Sequence, residues 1–270
     1  MAEKKRLDVL LVERGLESTR SRAQARIMAG DVVVGEHRKD KPGELFTTDV
    51  AIRLKDNSHP YVSRGGIKLK AAIDTWPAPI SGAVCMDVGA STGGFTDVLL
   101  RAGASHVYAI DVGTAQLHES LRQDPRVTSM ERTHIGRMPP GALQPPPTIA
   151  VIDVSFISLT KVIAPVLAQL DQTKDCTIYA LLKPQFELEP ADIGKGGIVR
   201  SEEARQRALA SVLGKLLDVK LLGSDPNNFA GWLELIGQAP SPIQGSDGNI
   251  EYILAVKVHP HPSRVDKKPG

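Results

Sequence analysis

The stretch that most constrains the fold is AVCMDVGASTGGFTDVLL, residues 83–100. Its four opening apolar residues, Ala83-Val84-Cys85-Met86, read as a short buried strand running into Asp87. A turn of small residues follows, Gly89-Ala90-Ser91-Thr92-Gly93-Gly94, and an amphipathic helix then starts near Phe95 and stops at Arg101-Ala102-Gly103. Strand, glycine turn and helix in that order build a corner that holds anions and nucleotides. Glycines let backbone approach a ligand, and a helix N-terminus carries unpaired N–H groups. Gly103 fits a left-handed helix C-cap. The glycines do not have the G-x-G-x-x-G spacing of a dinucleotide turn, and no Gly-Lys-Ser/Thr closes the turn as in a P-loop.

What remains is D-x-G-x-x-x-G-G, the pattern of S-adenosylmethionine enzymes. Asp87, Gly89, Ala90, Ser91, Thr92, Gly93, Gly94 and Phe95 are therefore the cofactor-binding candidates. A second strand, His106 to Ile110, ends in Asp111, 22 residues beyond Gly89. An acid there can hold both hydroxyls of a ribose, although nicotinamide enzymes place one similarly and Asp111 alone does not discriminate.

At 270 residues the chain suits one large α/β domain and a small one. Its two cysteines, Cys85 and Cys176, fall in apolar strand patterns and read as buried free thiols of a reducing compartment. The N-terminus MAEKKRLDVLLVERG has no secretory apolar region, and no apolar run approaches the ~20 residues of a membrane helix. The expected location is the cytoplasm, with no membrane partner and no metal site. Residues 1–70 carry 15 Lys and Arg against 10 Asp and Glu, a net of +5, and the remainder a net of −3. A basic front module points to a polyanionic partner.

In the front module, Leu7, Leu10, Leu11 and Val12 form one helical face ending near Gly15. Ser18-Thr19-Arg20-Ser21 caps a second helix carrying Arg22 and Arg26, stopped by Gly30. Short strands are expected at Val32-Val33-Val34 and over Leu45 to Leu54. The series R-L-D-x-L-L-V-x-x-G-L, then S-R-A-Q-A-R-I-x-A-G-D-V-x-V, resembles the small RNA-binding fold shared by ribosomal protein S-four and some RNA-modifying enzymes. Arg20, Arg22 and Arg26 would line one helix and meet phosphates, and Arg6 and Arg64 complete the RNA-binding candidates.

A hinge at Asp56-Asn57-Ser58-His59-Pro60 leads to Y-V-S-R-G-G-I-K-L, an arm opening into a helix that would bury Ile67, Ala71 and Ile73 and turn Lys68 to a different side. Past Asp111 come a third strand at Val127 to Met130, a proline-rich connector, and a strand ending at Asp153 with Ser158 capping a helix to Leu170. A strand from Cys176 to Leu182 ends at Lys183, and a helix opens at Ser201. The glycine-rich loop from Pro184 to Arg200 is read as a mobile cover. Strands near Val219-Leu222 and Ile250-Val258 finish the sheet. The layout is therefore residues 1–58 for an S-four-like α+β RNA-binding domain, 59–82 for linker and lead-in helix, 83–259 for a doubly wound Rossmann-like methyltransferase sheet, and 260–270 for a disordered tail. In such a sheet ligands sit outside the carboxyl ends of the parallel strands, where Asp87, Asp111, Asp153 and Lys183 stand. An antiparallel last strand would begin at the same edge, adding Glu251, while the lead-in helix supplies Lys68.

Two lysines and two carboxylates at a cofactor edge suit methyl transfer to a hydroxyl, which must lose its proton as it attacks. A lysine takes that proton only if its pKa falls well below the free value of about 10.4. D-V-G-A-S-T-G-G-F-T-D, I-D-V-S-F-I-S-L, L-L-K-P-Q-F-E and G-N-I-E-Y, together with the front motifs, resemble the TlyA-type family, an S-four-like module joined to an FtsJ-like ribose methyltransferase. The resemblance implies that a Lys-Asp-Lys-Glu catalytic set falls on Lys68, Asp153, Lys183 and Glu251. It also implies S-adenosylmethionine as cofactor, and 2′-O-methylation of cytidine with ribosomal RNA or ribosomal subunits as partner. Relatives usually carry Thr-Asn followed closely by Arg after the third strand, where this chain has Thr133-His134-Ile135-Gly136-Arg137. The family also bears a haemolysin label, so a membrane-active protein is one rival reading and an RNA-binding protein with an inactive methyltransferase fold another. An amino-directed methyltransferase would want an Asn/Asp-Pro-Pro-aromatic turn, and Asp153-Val154-Ser155-Phe156 lacks both prolines.

Overall fold

In the computed structural model, which describes residues 3–28, 30–35, 37–54, 59–217, 231–245 and 247–260, the chain divides into two compact units, Met1–Arg64 and Gly65–Gly270. The boundary falls inside the stretch read from sequence as linker and lead-in helix.

The first unit runs β1 (Lys4–Arg6), α1 (Leu7–Glu13), α2 (Arg20–Met28), β2 (Val32–Val34), β3 (His37–Lys39), β4 (Leu45–Thr47) and β5 (Ile52–Leu54). Leu7 and Leu11 of α1 meet Ala23 and Ile27 of α2 over Val32 and Val34, with Phe46, Ile52 and Leu54 closing the core. The alternating Leu45 to Leu54 stretch is two strands rather than one. β4 pairs with β1, while β5 pairs with β2 in a separate sheet of order β3-β2-β5. Arg14 makes the break by donating to the carbonyls of Thr48 (2.7 Å) and Val50 (2.6 Å) between the two strands.

The second unit runs α3 (Gly65–Thr75), β6 (Val84–Val88), α4 (Gly94–Arg101), β7 (His106–Ile110), α5 (Glu119–Arg122), β8 (Val127–Met130), β9 (Ile149–Ile152), α6 (Thr160–Leu167), β10 (Cys176–Leu182), α7 (Glu202–Leu217), β11 (Gly231–Pro240) and β12 (Tyr252–Pro260). Its seven strands form one sheet of order β11-β12-β10-β9-β6-β7-β8. The five from β10 to β8 are parallel, and β12 and β11 are antiparallel to their neighbours. β9 and β10 are buried along their whole length, as strands covered by helices on both faces must be. One set of alternating residues, including Met86, Ile110, Ile152 and Ile178, packs on Val162 and Val166 of α6 and Val212 of α7. α4 ends in a Schellman motif: Gly103, at φ +90°, donates to Leu100 O (3.1 Å) and Ala104 to Leu99 O (3.0 Å).

Several expectations change. Asp87 is inside β6, not after it. α3 buries Gly66, Lys68, Leu69 and Ala72 rather than Ile67, Ala71 and Ile73, because Lys68 has a buried carboxylate to meet. Leu159, not Ser158, is the N-cap of α6, and that helix ends at Leu167. β11 is a long edge strand that the sequence reading lacks, since apolar residues stand on both of its faces, Leu233 and Leu235 on one, Trp232 and Ile236 on the other. The expected strand near Val219-Leu222, the hinge residues 56–58 and the tail 261–270 lie outside the described residues, while His259 and Pro260 belong to β12. At the Thr133–Arg137 departure the His134 ring nitrogen Nδ1 accepts the Gly136 N–H (3.1 Å), the role an Asn side chain would take.

Within the first unit Asp8 is wholly buried and accepts from Arg6 Nε and Nη2 (both 3.0 Å), Arg20 Nη2 (3.1 Å) and Gln24 Nε2 (2.6 Å). The Arg6 guanidinium, ahead of Gln24 and Arg20, holds its carboxyl well below the usual range against the opposing effect of burial. The folded unit thus binds this proton more weakly than the unfolded chain does. Its contribution is complete above the ordinary aspartate value of about 3.9 and is lost as pH falls through that value and below. Asp8→Asn is expected to weaken the unit by about 1.5–3 kcal/mol at neutral pH. The readout is faster amide hydrogen exchange over α1 and α2, with the second unit unchanged; exchange equal to wild type would mean that these pairs contribute nothing.

Candidate active site

The carboxyl edge of the parallel strands gathers the ionisable residues named from the sequence. β6 sets Asp87 at full burial, where Oδ2 accepts the Thr96 N–H (2.9 Å) and hydroxyl (2.7 Å) and so ties the first turn of α4 from inside. Oδ1 is buried with no partner among the described residues. Burial pushes this carboxyl up to about 7, the Thr96 bonds opposing and the charges of Asp153 and Asp111 adding to the effect.

The turn after β6 is held by the protein itself. Gly89 and Ala90 donate to Ile110 O (2.9 and 3.1 Å), Ser91 to Asp111 Oδ2 (2.8 Å) and Gly93 to Ala90 O (2.7 Å). Gly89, at φ +85°, is glycine because a Cβ there would stand 2.3 Å from the carbonyl oxygen of Asp153. Gly93, at φ +91°, leaves room for Leu121. Gly89 and Gly93 therefore serve the close approach of neighbouring chain. Phe95 and Gly94 are buried, and the turn's outer surface is Gly89, Ser91 and Thr92. Asp111 Oδ1 accepts from Gly113 N (2.7 Å), so each of its oxygens has one backbone donor and keeps a second lone pair.

Beside this turn stand the two lysines. Lys183 Nζ lies 2.7 Å from Asp153 Oδ1 and donates to Ser155 Oγ (2.9 Å). Lys68 Nζ, reaching in from α3, donates to Glu251 Oε2 (2.5 Å). Register explains the meeting: Leu182 of β10 faces Tyr252 of antiparallel β12, so Lys183 and Glu251 are the next pair out. Asp153 is the most accessible of the four, its side chain 23% exposed. Burial works against a charged Lys183, but the charges of Asp153 and Glu251 outweigh it and hold the ammonium above the ordinary lysine value. The expectation of a lowered lysine pKa does not hold for the ligand-free protein, because the charges of Asp153 and Glu251 outweigh the effect of burial. Burial pushes Glu251 up, with Lys68 and Lys183 opposing.

Other residues at this edge went unread in the sequence. Phe156, three residues past Asp153, is 91% exposed at φ +64° and its ring lies 5.2 Å from that of Phe186. Glu187 accepts from Ser158 Oγ (2.6 Å) and Leu159 N (2.7 Å), which fixes the far side of the same loop. Asn249 reaches Gly197 O (2.9 Å) and Val199 N (2.9 Å), joining the loop after β10 to the turn before β12. These residues were visible only as letters within I-D-V-S-F-I-S-L, L-L-K-P-Q-F-E and G-N-I-E-Y. The RNA-binding candidates are distributed differently from the expected single row. Arg22 and Arg26 both turn to Glu17 (3.7 and 2.6 Å) while Arg20 joins Arg6 on Asp8, since about 100° per residue puts Arg20 on another side of α2. Arg64 closes the first unit, half-buried.

The description FtsJ-like methyltransferase matches residues 61–225, more than half of the chain. The chain belongs to that family. An S4 domain matches residues 5–50 ahead of it. YqxC of Bacillus subtilis (strain 168) is 44% identical over 254 residues, covering 94% of this chain and 85% of its own. The 16S/23S rRNA (cytidine-2'-O)-methyltransferase TlyA of Mycobacterium tuberculosis is 38% identical over 255 residues, covering 94% and 90%. A solved Streptococcus thermophilus structure bearing a hemolysin label superposes with a TM-score of 0.70 at 39% identity, covering 96% of this chain and 90% of that one. Among the described residues no helix is long and apolar enough to cross a membrane.

Asp87 provides a test of the edge that needs no substrate. Its folded-state pKa of about 7 exceeds the unfolded value near 3.9, so the folded protein binds more protons between the two. Stability is expected to fall as pH rises from about 4 to 7 and to level off above. Asp87→Asn keeps an acceptor for Thr96 and should flatten that slope. Both tryptophans, Trp76 and Trp232, lie in the second unit, so denaturant titrations followed by their fluorescence measure it. An unchanged slope in the variant would assign it to other groups.

Proposed function

We propose that the protein transfers a methyl group from S-adenosylmethionine to the ribose 2′-hydroxyl of a cytidine in ribosomal RNA, free or within a ribosomal subunit, in the cytoplasm. The observation that carries the reading is the convergence of Lys68, Asp153, Lys183 and Glu251, from four separate segments, as two ion pairs at the carboxyl edge of the sheet. TlyA of Mycobacterium tuberculosis and the 23S rRNA (cytidine-2'-O)-methyltransferase TlyA of Campylobacter jejuni, 32% identical over 212 residues, are named for this reaction. The alternatives of an inactive RNA-binding protein and of a membrane-active one have no comparable support.

The residues present fit the cofactor. The buried Asp87 Oδ1 has no donor from the described residues, and Asp111 keeps free lone pairs, so an ammonium and ribose hydroxyls would satisfy both. Asp87, Ser91, Thr92 and Asp111 would hold it. Bound S-adenosylmethionine supplies a methyl group on a positively charged sulfur, an electrophilic carbon.

The protein's own side chains handle the hydroxyl. Lys183 is the base, and Asp153, the most accessible of the four, orients both the amine and the incoming hydroxyl. In the ligand-free protein the acids keep Lys183 charged, so the neutral amine is the minor form and its population sets the rate. Lys68 neutralises Glu251, and without it a second buried carboxylate would bind Lys183 still more tightly. The exposed Phe156 ring, beside the half-buried Phe186, offers a face on which an unstacked base can lie.

Lys183→Ala and Lys183→Arg are expected to lower methyl transfer by about 10²–10⁴-fold, since arginine keeps the charge but does not release its proton. S-adenosylmethionine binding, measured by calorimetry, should persist. The wild-type single-turnover rate should climb with pH without a plateau below about 10, because the acids raise the lysine above its ordinary value. Near-normal turnover by Lys183→Arg would leave Lys183 as an electrostatic clamp. Phe156→Ala should weaken RNA binding by about 1–3 kcal/mol while leaving cofactor affinity alone; equal RNA affinity would remove the ring from the binding face.

A further inference from the structure

Gln185 is more than nine-tenths buried, yet its amide is only half used. Nε2 donates to Asp247 Oδ2 (3.0 Å), and Oε1 is buried with no partner among the described residues. The amide cannot be turned round, because a carboxylate accepts and does not donate, and the NH2 end must face Asp247. Asp247 is fixed in turn by Asn249 Nδ2 at 2.8 Å. A buried acceptor without a donor is costly, and this one is held in that state by a network that does nothing else for it.

Its position is informative. Gln185 lies on the 3-10 turn Pro184–Phe186, between Lys183 and the Phe186 ring beside Phe156. Asp247 Oδ1 and Glu251 Oε1 both come within 3 Å of the point a Gly245 Cβ would occupy (2.9 and 2.6 Å), so the Gln185 network adjoins the four charged residues directly. One short turn thus offers, in order, a group for the ribose hydroxyl, a fixed acceptor and an aromatic face. Among the described residues none donates to that acceptor: the ammonium groups of Lys183 and Lys68 are engaged with Asp153, Ser155 and Glu251.

We infer that Gln185 reads the target base, its Oε1 accepting a hydrogen bond from the exocyclic amino group and so selecting cytidine over uridine. This rests on the ribose-methylation reading of the same site. Within an RNA strand the nucleotide's sugar has no donor besides the hydroxyl being methylated, so the remaining donors are on the base. Cytosine carries an amino group where uracil carries a carbonyl oxygen. A carbonyl facing Oε1 would set acceptor against acceptor in a dry site, and neither could turn away.

The test uses the full-length protein and ribosomal subunits whose methylated cytidine has first been mapped, alongside the same subunits with that cytidine replaced by uridine. Wild type should prefer cytidine by about 100-fold or more in kcat/KM, as expected of a site built to pair a polar group. Gln185→Met keeps the volume and removes the acceptor. It should lower the cytidine value about 10- to 100-fold and change the uridine value little, so that the preference largely disappears. S-adenosylmethionine affinity should not change. Melting temperatures verify the fold, and if the methionine variant does not fold, Gln185→Asn, which withdraws the same amide by one methylene, takes its place with the same expected loss of preference. A cytidine preference that survives either folded variant, even with both rates lowered, overturns the inference and leaves Gln185 as a structural residue. A wild type that methylates uridine equally well also overturns it while sparing the ribose-methylation reading. A wild type that binds S-adenosylmethionine but for which the mapping finds no methylated cytidine ribose overturns both.

Discussion

Two ammonium groups can be kept in the dry edge of a sheet only if each meets a carboxylate, and the arrangement of the second unit follows from that requirement. Lys68 would not be on the buried side of α3 without Glu251, and Glu251 is there because β12 runs antiparallel to β10 and starts where β10 ends. Removing either partner of such a pair leaves an uncompensated buried charge, which costs far more than the pair contributes. The same constraint sets how Lys183 titrates. The charges of Asp153 and Glu251 outweigh burial and hold its ammonium above the ordinary lysine value.

The edge is held in shape by loops that bind one another rather than by the strands alone. Gly89 lets the chain after β6 touch the Asp153 carbonyl at the point where the strand order reverses, between β6 and β9. Glu187, pushed up by burial, straps Ser158 and Leu159, and with them the loop that carries Phe156 in a left-handed conformation. A non-glycine residue in that region persists only when its surroundings over-determine it. Asn249 does the equivalent for the chain between β10 and α7, which is built from two 3-10 turns and closed by these bonds.

In the first unit arginines do two things at once. Arg6 and Arg20 satisfy the buried Asp8 and still present about half of their side chains to solvent, and Arg22 does so beside Glu17, where Arg26 keeps 25% of its side chain exposed. A guanidinium has five donors in a fixed fork, so one edge can hold a carboxylate while the other stays open to a phosphate. The basic face of this unit is thereby pre-ordered by its own acids.

The strands β9 and β10 and the charged residues at their ends were legible in the sequence, because each of the two is a continuous apolar run that stops at a charged residue: Ile149 to Ile152 at Asp153, Cys176 to Leu182 at Lys183. Periodicity of that kind is local, and so is a glycine's freedom to take positive φ. The small module was legible for the same reason, with helices punctuated by Gly15 and Gly30. What no local pattern carries is which residues become partners across the fold. The side of α3 that faces inward, the direction in which Lys183 titrates, the unpaired Gln185 oxygen and the exposed Phe156 all depend on groups far away in sequence. Burial and Coulomb interaction are properties of a place, and only the tertiary structure assigns each side chain its place.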